Sequence, residues 1–486
     1  MSDAAQETRK LARNSALYLI PNLLVRGLSF LLTPVYARFM TPADFGVLGV
    51  CTTVSTLTAL LVSFSLPSVI ARLHFDMESE QMRRRFYGTI LLFMLTGAPL
   101  LVGAAHLLGA LEVVRPMRQV PFSPHLTLAM WTGYLTLLVT VPGVLLTARE
   151  EAGRVAAYNV FAAVAQIGLT VAFVVWMKQG ALGAVRAQFL AAGVSALVGL
   201  ALYVPHMAVA FDLGLLKRAL LLGLPMVLHV SSNWILNLAD RMILERYAPA
   251  SDVGLYTLAY LFTMAALLVL NSIGDAFGPI TLRLMKADPA SPTVPLLGTM
   301  TLGLDCYACL GAAVLGEDAV RLFFPASYAG AVPMISWVVA GAAMQGVYHV
   351  WSQGSWYRMN TRGIAAATTF AAITNLTLNF IFVPRYGAMA AAVLTFVTYL
   401  ELALLHGVVA TASYRIAWRY RDWLMCLGAM AAVYAGCAAV ARALPPVAAA
   451  SLRLGIVVLG FPLALWALGV VRREHVARFL AARRGA

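Results

Sequence analysis

Charge is what this sequence has least of. Only 12% of its 486 residues are Asp, Glu, Lys or Arg, against about 25% in ordinary soluble domains. The acids are scarcer than the bases, 21 against 35. A surface this poor in charge excludes a conventional water-soluble protein. Long polar connections are missing too, which argues against a membrane glycosyltransferase, polymerase or ligase that assembles its active site outside the bilayer. The sequence contains no Walker A loop, no H-E-x-x-H, no His–Cys cluster at metal-ligand spacing and no G-x-S-x-G. No catalytic residue, metal or cofactor is therefore expected. Cysteine is sparse, with five residues. Cys306 and Cys309 form a C-x-x-C, but inside the apolar run "LDCYACLGAAVLG", where buried packing explains them better than redox chemistry.

What is there is hydrocarbon. Apolar residues make up 61% of the chain, and the mean hydropathy is +0.81. Apolar runs of about 20 residues recur throughout, each long enough to cross a ~30 Å hydrocarbon core as a helix. A transmembrane barrel would instead show alternating segments of about 10 residues. The expectation is an all-α polytopic membrane protein with about 14 spans, near 15–37, 45–71, 86–111, 124–148, 155–177, 181–209, 219–243, 254–282, 293–316, 328–353, 362–384, 387–411, 421–441 and 448–471.

Basic residues sort to one side of that arrangement. Alternate connections carry 23 of the 35 on one side and 10 on the other, with Arg26 and Arg186 left inside spans. The richer side is read as cytoplasmic, which places both termini there. The net charge of +14 thus reflects membrane orientation rather than nucleic-acid binding. The first span contains Arg26 and is too long for a signal-peptide core, so it is read as a retained helix.

The chain also repeats itself. "ARFMTPADFGVLGV" follows the first span and "ERYAPASDVGLYTL" the seventh; Arg38, Asp44 and Gly46 match Arg246, Asp252 and Gly254, each at an offset of 208. "VVWMKQGALGAV" and "FIFVPRYGAMAAAV" pair Lys178 with Arg385 and Gly180 with Gly387 at an offset of 207. Two loops sharing one offset indicate an internal duplication. We read residues 1–210 as an N-terminal six-helix bundle, 211–412 as its repeat, and 413–486 as two extra spans with a basic cytoplasmic tail. An even number of spans per unit makes the repeats parallel, an architecture used by transporters.

Polar residues fall in stripes. Asn14, Tyr18, Asn22, Arg26, Ser29 and Thr33 advance by three or four residues along the first span, one face of a helix. His229, Asn233, Asn237 and Arg241 do the same in the seventh, with Asp240 beside them. In hydrocarbon such stripes face a neighbouring helix or a water-filled cavity. Interhelical hydrogen bonding accounts for Asn14, Ser29 and Thr33 taken singly. Arg26 is harder to explain so, because an uncompensated mid-span arginine costs about 2.5–3.5 kcal/mol even on a lenient scale. It is either a cavity cation or an ion-pair partner. Asp240 and Arg241, adjacent and diverging by about 100°, suit a structural charge cluster as well as a substrate contact. Asp275, Glu401 and Arg186 are candidates for ion coupling or structural pairing, Asp305 is a further in-span acid, and Gln345, His349 and Gln353 form another helical face.

Three stretches resemble a known family. "LTPVYARFMTPADFGVLGV" (32–50), "LADRMILERYAPASDVGLYTLAY" (238–260) and "PRYGAMAAAVLTFVTY" (384–399) are similar to segments of bacterial O-antigen and exopolysaccharide repeat-unit flippases. These form the polysaccharide transporter branch of the multidrug/oligosaccharidyl-lipid/polysaccharide exporter superfamily, which also holds the multidrug and toxin extruders and the lipid II flippases. The resemblance implies two six-helix bundles around a V-shaped cavity, with the last two spans packed outside. It implies alternating access of an undecaprenyl-diphosphate-linked oligosaccharide across the bacterial inner membrane, with membrane lipids as surroundings. A polymerase and glycosyltransferases of the same pathway would be its partners, and nucleic acid would not. Arg26 lies where family members carry a cavity cation, and Tyr18, Asn22, Ser29, His229, Asn233, Asn237 and Arg241 would line the substrate path. Proton or sodium coupling stays open. So do three rivals: a cation-coupled drug extruder, a lipid II flippase, and a membrane assembly factor without transport.

The charge pattern yields a direct test. Reporter fusions at both termini and at residue 80 should report cytoplasm, and a fusion at residue 117 should report periplasm. A periplasmic C-terminus would overturn the fourteen-span arrangement.

Overall fold

A computed structural model describes residues 32–111 and 117–470. They are helical with no strand among them, and form α1 (described over 32–37), α2 (Pro42–Ser63), α3 (Leu66–Asp76), α4 (Glu80–Ala110), α5 (Thr127–Ala148), α6 (Ala152–Thr170), α7 (Gly180–Tyr203), α8 (Leu213–Tyr247), α9 (Ala250–Ala287), α10 (Thr293–Phe323), α11 (Val332–Trp351), α12 (Gln353–Tyr357), α13 (Thr361–Ser413), α14 (Tyr420–Ala443), α15 (Pro446–Gly455) and α16 (Phe461–Ala467). Eleven candidate membrane spans lie among the described residues. One of them, α13, is 53 residues long and folds at Gly387, where φ is 59° and ψ is −146°, so it makes two spans. With the 35-residue α8, thirteen of the fourteen expected spans have counterparts among the described residues; the first, 15–37, lies mostly outside them. The protein is an all-α polytopic membrane protein.

The duplicated loops have a physical basis. Gly180 and Gly387, partners in the repeat, both hold positive φ, 56° and 59°, a region that costs other residues steric strain. Asp44 serves two helix starts at once. Its Oδ2 accepts from the Thr41 amide at 2.8 Å and the Thr41 hydroxyl at 2.7 Å, closing a capping box on α2. Its Oδ1 accepts from the Ala181 amide at 3.1 Å at the start of α7. Backbone donors at helix N-termini have no intrahelical partner, and in a membrane protein a carboxylate that satisfies two such ends is hard to replace.

The chain divides into two compact units: the described part of Met1–Trp234 with Pro249–Gly254, and Ile235–Ala248 with the described part of Leu255–Ala486. In the first, α5 packs on α2 and α7, and α6 on α7. Its core gathers Leu66, Ile70, Leu73, Phe86, Tyr87, Ile90, Val141, Leu145 and Tyr203. Small residues allow close approach, as at Gly133, where an added methyl would overlap the carbonyl oxygen of Ser55. The span expected over 45–71 differs from a single helix. It breaks between α2 and α3 at Phe64 and Ser65, both left-handed with φ of 46° and 57°, and Pro67 occupies the first turn of the restarted helix. A proline is tolerated there because its missing N–H would have had no partner.

In the second unit α10 and α11 pack together, and α11 packs on α13. The last two spans are tied to α10 through charge. Arg453 of α15, completely buried, pairs with Asp318 and, at 2.7 Å, with Glu317. Tyr434 of α14 donates to Glu317 at 2.5 Å. The sequence reading had placed Arg453 among the outer connections, but it is an interior cation whose partners stand 135 and 136 residues earlier. Removing one member of a buried pair strands the other charge, at a cost of about 3–5 kcal/mol. Arg453→Met should therefore lower the thermal stability of purified protein sharply, and the combined Arg453→Met, Glu317→Gln, Asp318→Asn variant should recover most of it. Equal losses in both would contradict the pairing.

Candidate functional site

Tyr18, Asn22, Arg26 and Ser29 lie outside the described residues, as does the His229 side chain. The part of the seventh-span stripe that belongs to the second unit is well defined. Asn237, Asp240 and Arg241 sit within about one turn of α8. Asp240 is fully buried and Arg241 is 5% exposed. Tyr256 of α9 donates its hydroxyl to Asp240 Oδ2 at 2.6 Å and lies 3.1 Å from the hydroxyl of Thr395 on α13. One turn further along each helix, Tyr260 and Tyr399 donate to Asn237 Oδ1 at 2.9 and 2.8 Å. The Arg241 guanidinium lies over the Tyr260 ring, 4.6 Å from its centroid, and 5.6 Å from that of Tyr256, while Nη1 donates to the Asn237 carbonyl at 3.0 Å.

Three helices are thus held by side chains at i, i+4 spacing on each. Asn237 and Arg241, expected as substrate contacts, are engaged inside the unit, Asn237 by two phenols and Arg241 by two aromatic rings and a carbonyl. A desolvated cation over an aromatic face gains about 2 kcal/mol or more, which helps to make a buried arginine tolerable.

Asp240 is only half used. Its Oδ1 is buried and has no hydrogen-bond partner. Asn375 and Asn379, both fully buried, stand on the first arm of α13, before Gly387. Their amide nitrogens are pinned, Asn375 to Thr398 Oγ1 at 3.1 Å and Asn379 to the Asn375 carbonyl at 2.9 Å, and both Oδ1 atoms are left without a partner. Thr395 donates to the Ala391 carbonyl at 2.9 Å. A carboxylate, two amide carbonyls and a threonine hydroxyl are all hard oxygen donors, and leaving buried acceptors unpaired is costly. At Asp240 the unpaired buried oxygen suits a proton or a small hard cation.

The other candidates are dispersed. Glu401 accepts from Thr374 at 3.0 Å. Arg186, considered as a partner for one of the in-span acids, donates to Gln179 at 2.9 Å in the first unit. Asn233 is exposed on α8, and Asp275 is exposed on α9. Cys306 and Cys309 are buried free thiols. Tyr256, Tyr260, Asn375, Asn379, Thr395 and Tyr399 were missed in the sequence, although "TNLTLNF" and "LTFVTY" carry the i, i+4 pairs Asn375/Asn379 and Thr395/Tyr399.

Outside the membrane-spanning segments, Glu151 carries a clear electrostatic signature. Burial raises its pKa, but hydrogen bonds from Arg149 and Arg154 outweigh that and hold it below the usual carboxylate range. The sequence assigns this cluster to the cytoplasmic face.

Residues 11–285, more than half of the chain, match the family model described as polysaccharide biosynthesis protein. The chain belongs to this family. Among solved structures, its fold is similar to that of lipid II flippase MurJ in an inward closed conformation, with a TM-score of 0.72 at 14% identity, covering 94% of this chain and 100% of that one. An inward-facing multidrug resistance MATE family transporter of the MOP superfamily superposes with a TM-score of 0.58 at 14% identity, covering 82% and 97%. A MOP superfamily transporter from Pyrococcus furiosus gives 0.54 at 16%, covering 83% and 95%. Comparison with curated protein sequences gives no match.

If Asp240 helps to hold a cation in this polysaccharide-family protein, ligand linkage should show it. Sodium, compared with choline at equal ionic strength, should raise the melting temperature of purified protein, and Asp240→Asn should abolish the shift. An unchanged shift in the variant would remove Asp240 from the site.

Proposed function

We propose that this protein flips a lipid-linked oligosaccharide repeat unit, carried on undecaprenyl diphosphate, from the cytoplasmic to the periplasmic leaflet of the bacterial inner membrane, for O-antigen, capsule or exopolysaccharide assembly. The observation that carries this reading is the conjunction of a polysaccharide-biosynthesis family match with a fold shared over 94% of the chain with a lipid II flippase. The physics of the substrate explains why a protein is needed. Each hydroxyl or amide moved from water to hydrocarbon without a partner costs about 4–8 kcal/mol, so an oligosaccharide head on its diphosphate does not cross unaided. A planar guanidinium that stays charged, such as Arg26, offers a bidentate phosphate partner.

The process is transport rather than catalysis in this reading, and both termini lie in the cytoplasm. The unpaired oxygen of the buried Asp240 suggests its energy source. An inward-moving monovalent cation supplies about 2.3 kcal/mol for each 100 mV of membrane potential, and a site that binds it in one state of the cycle couples that energy to the glycan lipid. The similarity to multidrug transporters keeps a drug extruder as the rival, but a small cationic drug gives no reason for a mid-membrane arginine.

Arg26 is the decisive position. In the native host, Arg26→Ala should abolish surface polysaccharide at unchanged protein level, and Arg26→Lys should restore it only in part. Normal surface polysaccharide in the Ala variant would remove the anion-binding role and leave the drug extruder or the assembly factor as the better reading.

A further inference from the structure

A second polar feature of the second unit is separate from the Asp240 cluster. A cleft of about 330 Å³ opens between α9 and the α11–α12 segment, lined by Asn271, Asp275, Tyr348, His349, Gln353 and Trp356 with glycines 274 and 278 among its walls. Its size lies at the lower end of the range for small-molecule sites, about 300–1,000 Å³. At Gly278 an added methyl would meet nothing within 4 Å, and at Gly274 its nearest neighbour would be His349 Nδ1 at 3.5 Å. The glycines therefore keep the cleft open.

Two of its lining side chains keep an unpaired atom. Gln353, 6% exposed, uses its amide nitrogen on the His349 carbonyl at 3.1 Å, while its Oε1 is buried without a partner. His349 Nδ1 is likewise buried and unpaired. Asp275 and Asn271 are exposed along the α9 wall, one helical turn apart. At the mouth stands Trp356, 45% exposed. The walls thus offer a carboxylate, two amides, an imidazole and an aromatic face, with neither lysine nor arginine among the lining residues.

That balance selects a ligand class. A diphosphate or an acidic sugar would meet a carboxylate with no cation to offset it. Sugar hydroxyls are donors and acceptors at once and match carboxylate and amide side chains, while the C–H face of a pyranose ring suits an amphipathic aromatic platform. We propose that this cleft is a subsite for a neutral or amino sugar of the transported glycan, separate from the site that takes its diphosphate. The inference rests on the flippase reading and adds what part of the substrate this unit grips. Its place along the helices fits capture: Asp275 stands about two turns before Arg283 on α9, and Trp356 two residues before Arg358, at the end that charge asymmetry assigns to the cytoplasm.

Two variants probe the cleft without touching the Asp240 network: Gly278→Leu fills it and Trp356→Ala removes its platform. Purified protein is incubated with prenyl-diphosphate-linked oligosaccharides extracted from the host and with sugar-free undecaprenyl diphosphate, and bound lipid is read by native mass spectrometry. Both variants should lose about tenfold in retention of the glycosylated lipid while keeping the sugar-free diphosphate. Wild-type retention in both, or equal loss of the two lipids, overturns the subsite and leaves the flippase reading standing. If the wild-type protein retains neither lipid, the flippase reading fails. Saturation-transfer NMR with glucose, N-acetylglucosamine, glucosamine and glucuronate then decides the cleft alone. Contact with the neutral or amino sugars that Gly278→Leu removes supports it. Contact with glucuronate only, or none, overturns it.

Discussion

A polar atom inside hydrocarbon has no water to bond with, and that constraint orders many of the described in-span polar groups of this protein. Where a group is structural, the fold supplies its partner. Arg453 finds two carboxylates and a tyrosine beside one of them. Asn237 finds two phenols, and Arg241 finds aromatic faces and a carbonyl. Hydroxyls on the helices turn back to carbonyls one turn earlier, as Thr53, Thr132 and Thr368 do. Against this background, the buried oxygens left unspent at Asp240, Asn375, Asn379 and Gln353 stand out.

The second unit holds two such groups of atoms with different chemistry. At Asp240, Asn375 and Asn379 the unspent atoms are oxygens, and the amide nitrogens of the two asparagines are already committed. The arrangement favours a small cation or a proton. Between α9 and α11 the unspent atoms belong to an amide oxygen and an imidazole beside a carboxylate and an exposed indole. That mixture favours hydroxyl-bearing rings. Both lie on helices that pack against their neighbours through glycine and aromatic contacts, so a ligand in either would bear on the packing of α9, α11 and α13.

Much of the fold was legible because membrane helices announce themselves by length and hydropathy. Thirteen of the fourteen spans agree with the described helices within a few residues at most ends, and the offset shared by Gly180 and Gly387 marked two positions that need positive φ. The break at Phe64 and Ser65 was not legible, since two non-glycine residues in left-handed conformation leave no compositional mark. Of the site, Asp240, Asn237 and Arg241 were visible as a polar stripe, but their partners were not. Tyr256, Thr395 and Tyr399 read as ordinary span residues until folding brings α9 and α13 against α8. Arg453 was misplaced for the same reason: charge counting treats an arginine near a span end as a loop residue, whereas its acids lie on a distant helix.

The account as a whole stands on movement of a glycan lipid across a bilayer. The direct measurement uses purified protein in sealed vesicles carrying host-derived prenyl-diphosphate oligosaccharide in the inner leaflet, with exposure to the outside followed by an impermeant reagent that oxidises sugar diols. The account predicts that vesicles containing the protein expose the oligosaccharide much faster than protein-free vesicles, and that Arg26→Ala brings the rate back to theirs. Equal rates with and without the wild-type protein, with an inward sodium or proton gradient imposed, would contradict it.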